Sequence, residues 1–331
     1  MKIAIIINIS MEPHNGIKIQ AETWAKELEI KGHEVYRISP WESYDWTKFD
    51  IIHLIGSSRY LYLTCCNLNK RGIYNIVLSP IIDSNKSHFI HRMSTYLGCM
   101  RLHLFSGNYI MRKSAPMIRI WNVRTQTEAD YLSFCYGVPK EKISIIPLSY
   151  RINAPSDLPK KEIFCLHVSR LSDSNKNVHR LVLAAEKYKF SLKLAGTIID
   201  LKSFKPTMEI INRCDNIEYV GTVSDEELCN LYCRAQVFAL PSISEGVGMV
   251  ALEAACYGCN IVVTNVGGPK EYYGDLARTV NPMDVDDIGL KILDALNDSD
   301  SNRRIQKYVQ HNYNLSTCVD MLVDSYKSLL K

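Results

Sequence analysis

The sequence predicts an α/β protein with two domains, each built around a parallel sheet. Apolar runs of strand length alternate with stretches of helical length along the whole chain. That alternation is typical of parallel strands that are covered by helices on both faces of a sheet. A chain of 331 residues is also long for a single core, and it matches two domains of about 150 residues each.

Each half of the chain supplies strand-like runs in the same rhythm. In the first half these are KIAIIIN (2–8), FDIIHLI (49–55), YNIVLSPII (74–82), MIRIWN (117–122) and KISIIPL (142–148). In the second half they are EIFCLHV (162–168), SLKLAG (191–196), NIEYVG (216–221), QVFALP (236–241) and CNIVVTN (259–265). Between the halves, RINAPSDLPKK carries two prolines and no apolar period, as linkers do. We therefore predict a first domain over 1–150, a second over 151–315, and a terminal helix over 316–331 that packs back on the first.

The composition predicts a cytoplasmic protein with reduced thiols. No apolar run approaches the about 18–20 residues of a membrane helix, and the N-terminal run has only the length of a strand. Eleven cysteines follow no regular spacing, which favours free thiols over a disulfide framework. Cys256 and Cys259 form a C-x-x-C at the end of a predicted helix, where packing is the expected role. Without paired histidines nearby, zinc is not predicted.

The segment PSISEGVGMVALEAACYGC (241–259) carries the most informative pattern. Glu245 and Glu253 lie eight residues apart around a turn with Gly246 and Gly248, and an apolar helix follows. Such a helix start presents free backbone N–H groups that suit a phosphate or sugar hydroxyls, and the carboxylates can accept bonds from hydroxyl pairs. The alternative is a capped helix with one exposed glutamate.

A second pattern lies in FCLHVSRLSDSNKNVHRLVLAA (164–185). A predicted strand runs into a polar loop that holds Arg170 and Lys176, and a helix follows. Open α/β sheets bind ligands beyond the carboxyl ends of their strands. A guanidinium and an ammonium at that edge can together bind a diphosphate. The alternative is a pair of solvated loop cations.

These two motifs resemble those of glycosyltransferase family 4. The enzymes of that family are retaining, use nucleotide sugars and have the GT-B fold of two facing Rossmann-like domains. SRLSDSNKN resembles the loop in which an arginine and a lysine stand six apart, and SEGVGMVALEA resembles the signature of two glutamates. IEYVGTVSDEELCNLYCRAQVFALPS (217–242) and NVGGPKEYYGD (265–275) resemble the joining segment and the glycine-pair loop. The resemblance is close over 160–331 and weaker over 1–150, where KGHEV (31–35) and TQTEADYLSFCYGVPKEKISIIPL (125–148) carry it.

The resemblance implies a hexosyltransferase whose nucleotide-sugar donor binds the second domain. Arg170 and Lys176 would neutralise the leaving diphosphate, Glu245 would accept from hydroxyls of the donor sugar, and Glu253 from ribose hydroxyls. Retention without a protein nucleophile implies front-face attack, in which the leaving phosphate takes the acceptor proton. The remaining donor contacts that the resemblance implies are Gly16, Gly221, Thr222, Val223, Gly246, Val247, Gly248, Met249 and Val250.

The first domain departs from the family pattern. It would close over the donor with the loop around Asn15 and Gly16, yet that loop has one glycine where many relatives have two. The family often places a histidine after its fourth strand, whereas LSPIIDSN (78–85) has none. Asp83 is expected near the position of this absent histidine, and His53 is the candidate to replace it. A lone histidine at a strand is, however, more often structural.

Positive charge is concentrated in one stretch of the first domain. Between Asp83 and Glu128 there are seven basic residues and no acidic one, interleaved with aromatic and aliphatic residues. This pattern suits an anionic lipid-linked acceptor or an acidic bilayer, and it predicts a peripheral location on the inner face of the plasma membrane. The alternative is a solvated helix face. No nucleic-acid motif accompanies the charge, so no nucleic-acid partner is expected.

The sequence-based conclusion is a transferase that adds a sugar to a glycan or lipid-linked acceptor in polysaccharide or lipopolysaccharide assembly. No resident cofactor or metal is expected. Asp284 and Asp286 have the Asp-x-Asp spacing of a metal site, but they follow Asn281 and Pro282 and are predicted to be turn and cap residues. A sugar-nucleotide 2-epimerase of the same fold and a non-catalytic lipid- or glycan-binding protein are the alternatives. A dehydrogenase is disfavoured, since no G-x-G-x-x-G follows the first strand. No motif specifies the donor base, the sugar, the acceptor or the oligomeric state.

Overall fold

The computed structural model describes residues 1–7, 16–39, 41–58, 60–82, 84, 86–153 and 155–330. The chain divides into two compact units. Unit 1 comprises residues 1–148 and 315–331, and unit 2 comprises residues 149–314. The division after residue 148 lies two residues before the predicted boundary between residues 150 and 151. No helix in the described part of the chain is both long and apolar enough to cross a bilayer.

Unit 1 contains a parallel sheet whose strand order within the described residues is β2-β1-β3-β4-β7-β8. Its strands are β1 (Lys2–Ile7), β2 (Glu34–Arg37), β3 (Ile51–Ile55), β4 (Ile76–Ser79), β7 (Ile120–Val123) and β8 (Ile143–Ile145), with a separate hairpin of β5 (Gly98–Cys99) and β6 (Leu104–Phe105). Its first helices are α1 (Gly16–Ile30), α2 (Leu61–Lys70), α3 (His88–Tyr96), α4 (Gly107–Ser114) and α5 (Gln126–Tyr131).

Unit 2 contains a second parallel sheet, whose order is β11-β10-β9-β12-β13-β14. Its strands are β9 (Glu162–Val168), β10 (Leu192–Ala195), β11 (Ile217–Gly221), β12 (Ala235–Leu240), β13 (Asn260–Thr264) and β14 (Arg278–Val280). Its helices are α6 (Val178–Tyr188), α7 (Leu201–Arg213), α8 (Asp225–Arg234), α9 (Met249–Cys256), α10 (Pro269–Tyr273), α11 (Val285–Leu296) and α12 (Ser301–Asn312). This order is the doubly wound one, and it reverses direction between β9 and β12.

The apolar runs form strands because both sheet faces are covered. Every residue of β12 and of β13 is buried, so these strands read as continuous apolar runs rather than alternating ones. Helix α8 begins with a capping box, in which Ser224 and Glu227 are bonded reciprocally. The strand-like runs did not include β2 or β14, which are short and carry mainly polar or exposed residues.

The C-terminal helix α13 (Leu315–Leu330) belongs to unit 1. Lys31, the residue directly after α1, forms an ion pair with Asp320 at 2.7 Å. The Tyr326 hydroxyl is hydrogen-bonded to Nδ1 of His53 at 2.7 Å. His53 is fully buried, and its Nε2 lies 2.8 Å from Ser79 Oγ. Burial lowers the pKa of His53 to about 3, so the ring is neutral at physiological pH and joins α13 to the sheet. The structure therefore gives His53 a structural role.

Candidate functional site

The predicted site residues of unit 2 converge at the point where the strand order reverses. Arg170 and Lys176 lie in the loop that follows β9, and Glu245 lies in the loop that follows β12. Because β9 and β12 are neighbouring parallel strands, their carboxyl ends meet at the same edge of the sheet. That edge, at the topological switch point, is where open α/β sheets bind ligands.

Two asparagines hold these loops together. Asn175 Nδ2 donates to Ser244 O at 2.8 Å, Ser244 N donates to Asn175 Oδ1 at 3.2 Å, and Ile243 N donates to Asn175 O at 2.8 Å. Asn177 is buried and adopts a left-handed conformation with φ of 58°, and its amide donates to Pro241 O at 2.9 Å. The sequence analysis did not assign these residues. For Asn177 a local signal exists, because asparagine tolerates the left-handed region and this one stands directly before an apolar helix.

Lys176 and Glu245 form an ion pair. The Lys176 ammonium lies 2.7 Å from Glu245 Oε2, and the side chains are 21% and 15% exposed. Ser242 Oγ donates to the same Oε2 at 3.0 Å. Within the described residues, Oε1 of Glu245 accepts no hydrogen bond. Glu245 is therefore oriented through one oxygen, while the other remains available to a ligand hydroxyl.

Arg170 is more loosely held than Lys176. Its side chain is 61% exposed, and its guanidinium lies 3.5 Å from the Asp173 carboxylate. An exposed pair at that distance contributes little to stability. Each of the two cations thus has a carboxylate neighbour. Both nevertheless lie beyond β9, and an ammonium has three donors of which the Glu245 contact uses one.

The turn before α9 leaves a row of backbone donors unused. Among the described residues, the N–H groups of 246–250 form no hydrogen bond. Gly248 caps the helix with φ of 76°, a conformation that favours glycine. A Cβ at this position would lie only 2.9 Å from a methyl group of Leu240. The predicted helix start is present, and it offers amides where a phosphate or hydroxyl is favoured. Val247 contributes through its backbone, because its side chain is buried.

The glycine-pair loop is hydrogen-bonded to the backbone of Glu245. Gly267 has φ of 99°, and a Cβ there would lie 2.0 Å from the carbonyl oxygen of Glu245. Glu245 N donates to Val266 O at 3.3 Å, and Gly268 N donates to Glu245 O at 3.2 Å. Only a residue without a Cβ permits this close approach. The loop thereby fixes the backbone of Glu245.

Glu253 is buried in an ion pair. Its carboxylate is fully buried, with Oε1 bonded to Nε of Arg151 at 2.7 Å and Oε2 to the Tyr232 hydroxyl at 3.4 Å. Burial raises the pKa of Glu253 above its ordinary value, and the Arg151 guanidinium opposes this. In this structure the carboxylate does not face solvent, so contact with ribose hydroxyls requires Arg151 or Tyr232 to release it. Arg151 is 102 residues away in sequence, and no local signal indicated it.

His167 is a further residue that the sequence analysis did not assign. It is fully buried at the end of β9, with Nδ1 at 2.8 Å from Ala239 O and Nε2 at 2.7 Å from Ser169 Oγ. Burial lowers its pKa to about 4. A neutral ring must donate from Nδ1 to the carbonyl and accept at Nε2 from Ser169. His167 thus joins β9 to β12 and orients the residue before Arg170.

The other predicted contacts are less central. Gly221 ends the edge strand β11, and Thr222 is exposed and Val223 half-buried beyond it. That strand lies two strands from β9, about 10 Å away. Gly16 begins α1 in unit 1. Asn15 and Asp83 lie outside the described residues.

The two cysteines of the C-x-x-C are buried thiols. Cys256 and Cys259 are fully buried, and burial raises the pKa of the Cys259 thiol to about 11. Within those same residues, no cluster of three potential metal-ligating side chains occurs. The interpretation of the C-x-x-C as packing agrees with this burial.

Residues 151–312 match the model of a family described as Glycosyl transferases group 1. The matched range lies within unit 2 and contains both glutamates and both cations of the motifs. Part of the chain is 37% identical over 117 residues to the O-antigen chain mannosyltransferase B of Escherichia coli, covering 34% of this chain and 30% of that protein. The first curated relatives are each matched over less than half of their own length.

Solved structures resemble the whole chain. Sucrose-phosphate synthase from Thermosynechococcus elongatus aligns with a TM-score of 0.74 at 17% identity, covering 99% of both chains. Anabaena HepE, solved in complex with UDP and glucose, aligns with a TM-score of 0.73 at 15% identity, covering 99% of this chain and all of that one. These likenesses confirm the predicted GT-B fold class of two α/β domains with parallel sheets.

Proposed function

We propose that this protein is a retaining hexosyltransferase of glycosyltransferase family 4. It would transfer a sugar from a nucleotide-diphosphate donor to a glycan or lipid-linked acceptor. The observation that carries the proposal is the Lys176–Glu245 pair at the switch point of unit 2. A cation beside a carboxylate with one unused oxygen can bind a diphosphate and an adjacent sugar hydroxyl together.

The residues divide the work by charge. Arg170 and Lys176 lie where they can stabilise negative charge that develops on the leaving diphosphate. Oε1 of Glu245 accepts a hydrogen bond from a hydroxyl of the donor sugar, and the N–H groups of 246–250 approach the sugar and phosphate. A bond forms between the acceptor oxygen and the anomeric carbon while the bond from that carbon to the phosphate oxygen breaks. The acceptor proton passes to the departing phosphate, and the new bond forms on the same face.

The relatives support a role in surface polysaccharide assembly. The Escherichia coli relative is an O-antigen chain mannosyltransferase, and the HepE structure holds UDP and glucose. We infer a cytoplasmic enzyme at the inner face of the plasma membrane that extends a polysaccharide or lipopolysaccharide. In the described part of unit 1, segment 86–124 keeps several exposed cations without carboxylate neighbours, which favours an anionic acceptor.

Binding of a nucleoside diphosphate tests the donor site directly. UDP, GDP, ADP, CDP and dTDP are each added to the protein, and thermal unfolding is followed. The matching diphosphate is expected to raise the free energy of unfolding by about 2.7 kcal/mol at about 100 times its Kd. Arg170→Ala should weaken this shift. Arg213 is similarly exposed, at 59%, and pairs with Glu186, so Arg213→Ala should leave the shift unchanged. The proposal is contradicted if no diphosphate raises the thermal stability, or if all five raise it equally.

Transferase activity is expected to survive chelation of divalent ions. The Lys176 ammonium and the Arg170 guanidinium supply the charge that Mg²⁺ brings to other diphosphate sites. Product formation is measured with and without EDTA, using the matching donor and an extract of lipid-linked glycans as acceptor. A complete loss that Mg²⁺ restores would show that the two cations do not suffice. Incubation with donor alone separates transfer from epimerisation, which needs no acceptor.

A further inference from the structure

Helix α3 of unit 1 is inverted relative to an ordinary amphipathic helix. Its buried side chains are the polar His91 and Thr95. His91 Nε2 lies 2.7 Å from the Tyr136 hydroxyl, and Thr95 Oγ1 lies 3.2 Å from Cys135 O, so the buried polar groups are satisfied. Its apolar residues face solvent instead, and those exposed by about half or more are Phe89, Ile90, Met93, Tyr96 and, directly after the helix, Leu97.

The hairpin that follows α3 extends this apolar surface. Leu102 is 68% exposed and Leu104 is 66% exposed. Arg101, also exposed, stands beside them. Surface apolar residues scattered singly are normal, whereas several exposed on one helix and on the hairpin that follows it are typical of an interaction site. We call the exposed side chains of α3 and the β5–β6 hairpin the apolar face.

The charges around the apolar face are of one sign. Among the described residues, Arg92, Arg101, Lys113 and Arg119 form no ion pair with a carboxylate, whereas Arg124 pairs with Glu128. Apolar and basic side chains together match the two layers of an anionic membrane surface, its acyl chains and its phosphates. They do not match a nucleic acid, which offers no apolar layer on its backbone.

A cavity of about 640 Å³ opens at the C-terminal end of α3. Among the residues that line it are three tyrosines and three cations, and no lining residue is acidic. These six residues are Tyr96, Tyr109, Tyr136, Arg112, Lys113 and Lys142. Lys142 directly precedes β8, so the cavity lies at the amino-end edge of the sheet. It is therefore separate from the edge at which β1 leads toward Gly16.

Arg112 is fixed in this cavity. Its guanidinium lies 3.8 Å from the centroid of the Tyr96 ring. One of its nitrogens donates to Cys135 O at 2.9 Å and another to the Tyr96 hydroxyl at 2.6 Å. A stacked arginine retains further donors and loses little side-chain freedom when a phosphate binds. Lys113 and Lys142 add two point charges at the same opening.

We propose that the cavity binds the phosphate of an anionic phospholipid while the apolar face lies among the acyl chains. The cavity and the apolar face share Tyr96, so one lipid contacts both. This assigns a lipid site and a membrane-facing surface to unit 1, and it deepens the location given under the proposed function. Lipid binding needs no sugar transfer, so failure of the transferase assignment leaves this site unaffected.

Vesicle sedimentation of the full chain tests the site. Vesicles of phosphatidylcholine alone are compared with vesicles that also contain phosphatidylglycerol, at low and high salt. The chain is expected to sediment with the anionic vesicles and to be released as salt rises. Lys113→Ser with Lys142→Ser should lower the partition coefficient roughly 30-fold, since each cation near an anionic bilayer contributes about fivefold. Equal binding to both vesicle types overturns the proposal.

Two further variants separate the apolar face from the charges. Phe89→Ser with Met93→Ser is expected to reduce binding at least tenfold at both salt concentrations, roughly the transfer free energy of one such side chain. Ile30→Ser, which changes a residue of unit 1 that is 78% exposed, should leave binding unchanged. Circular dichroism confirms that each variant is folded. Wild-type binding by either double variant overturns the corresponding half of the proposal, and binding to no vesicle overturns all of it.

Discussion

Lys176→Ala is expected to lower turnover by about 10² or more, equivalent to about 3 kcal/mol of transition-state stabilisation. The ammonium lies at the edge where the diphosphate is proposed to leave, and it also holds Oε2 of Glu245. Its removal therefore takes away one charge and loosens a second group. Initial rates at saturating donor measure the effect.

A matched control distinguishes this loss from general destabilisation. Lys193 on β10 has the same side-chain exposure as Lys176, 21%, and it forms an ion pair with Glu218 at 2.6 Å. Lys193→Ala should keep wild-type turnover, because it lies within a strand rather than beyond its carboxyl end. Wild-type turnover by a folded Lys176→Ala variant would remove Lys176 from the site.

The contact between Lys176 and Glu245 also predicts coupling. Glu245→Gln keeps the size of the side chain but loses its charge, so kcat should fall. Once Glu245 is glutamine, Lys176→Ala should cost less than it does in the wild type, because residues that act as a unit are not additive. Strictly additive effects on turnover would show that the two side chains act separately.

The residue types of the proposed donor site could be predicted from local sequence, because each lies in the loop that follows a buried strand. Arg170 and Lys176 follow β9, and Glu245 follows β12. Their assembly could not be predicted from the periodicity alone, since it depends on strand order. The ion pair joins residues 69 apart in sequence, and only the adjacency of β9 and β12 brings them together.

The exposed apolar side of α3 and the roles of Asn175 and Asn177 could not be predicted from the sequence, each for a different physical reason. The charge pattern indicated a basic and apolar segment, but periodicity places apolar residues of a helix toward the core. In α3 the polar partners at Tyr136 and Cys135 invert that rule. Asn175 and Asn177 act through backbone carbonyls of a distant loop, and backbone acceptors leave no trace in the sequence.

Arg151→Ala is expected to lower the free energy of unfolding by about 2–3 kcal/mol. Removing one partner of a buried pair leaves an uncompensated charge, which costs about 3–5 kcal/mol. We take a smaller figure because the Arg151 side chain is 32% exposed. Chemical denaturation at neutral pH measures the loss. Arg213→Ala, which breaks an exposed pair with Glu186, should change stability by less than about 1 kcal/mol.

The pH dependence of that variant identifies the buried group. Burial raises the pKa of Glu253 in the folded state, so the folded protein binds a proton more tightly than the unfolded chain. Stability therefore falls as pH rises from the ordinary glutamate pKa to the raised one. Without Arg151 the pKa of Glu253 rises further and that window extends upward, so Arg151→Ala should lose more stability than the wild type as pH rises above the ordinary glutamate pKa. Adding Glu253→Gln to Arg151→Ala should abolish the extra loss, because the amide does not titrate. If the extra loss persists in that double variant, a group other than Glu253 depends on Arg151.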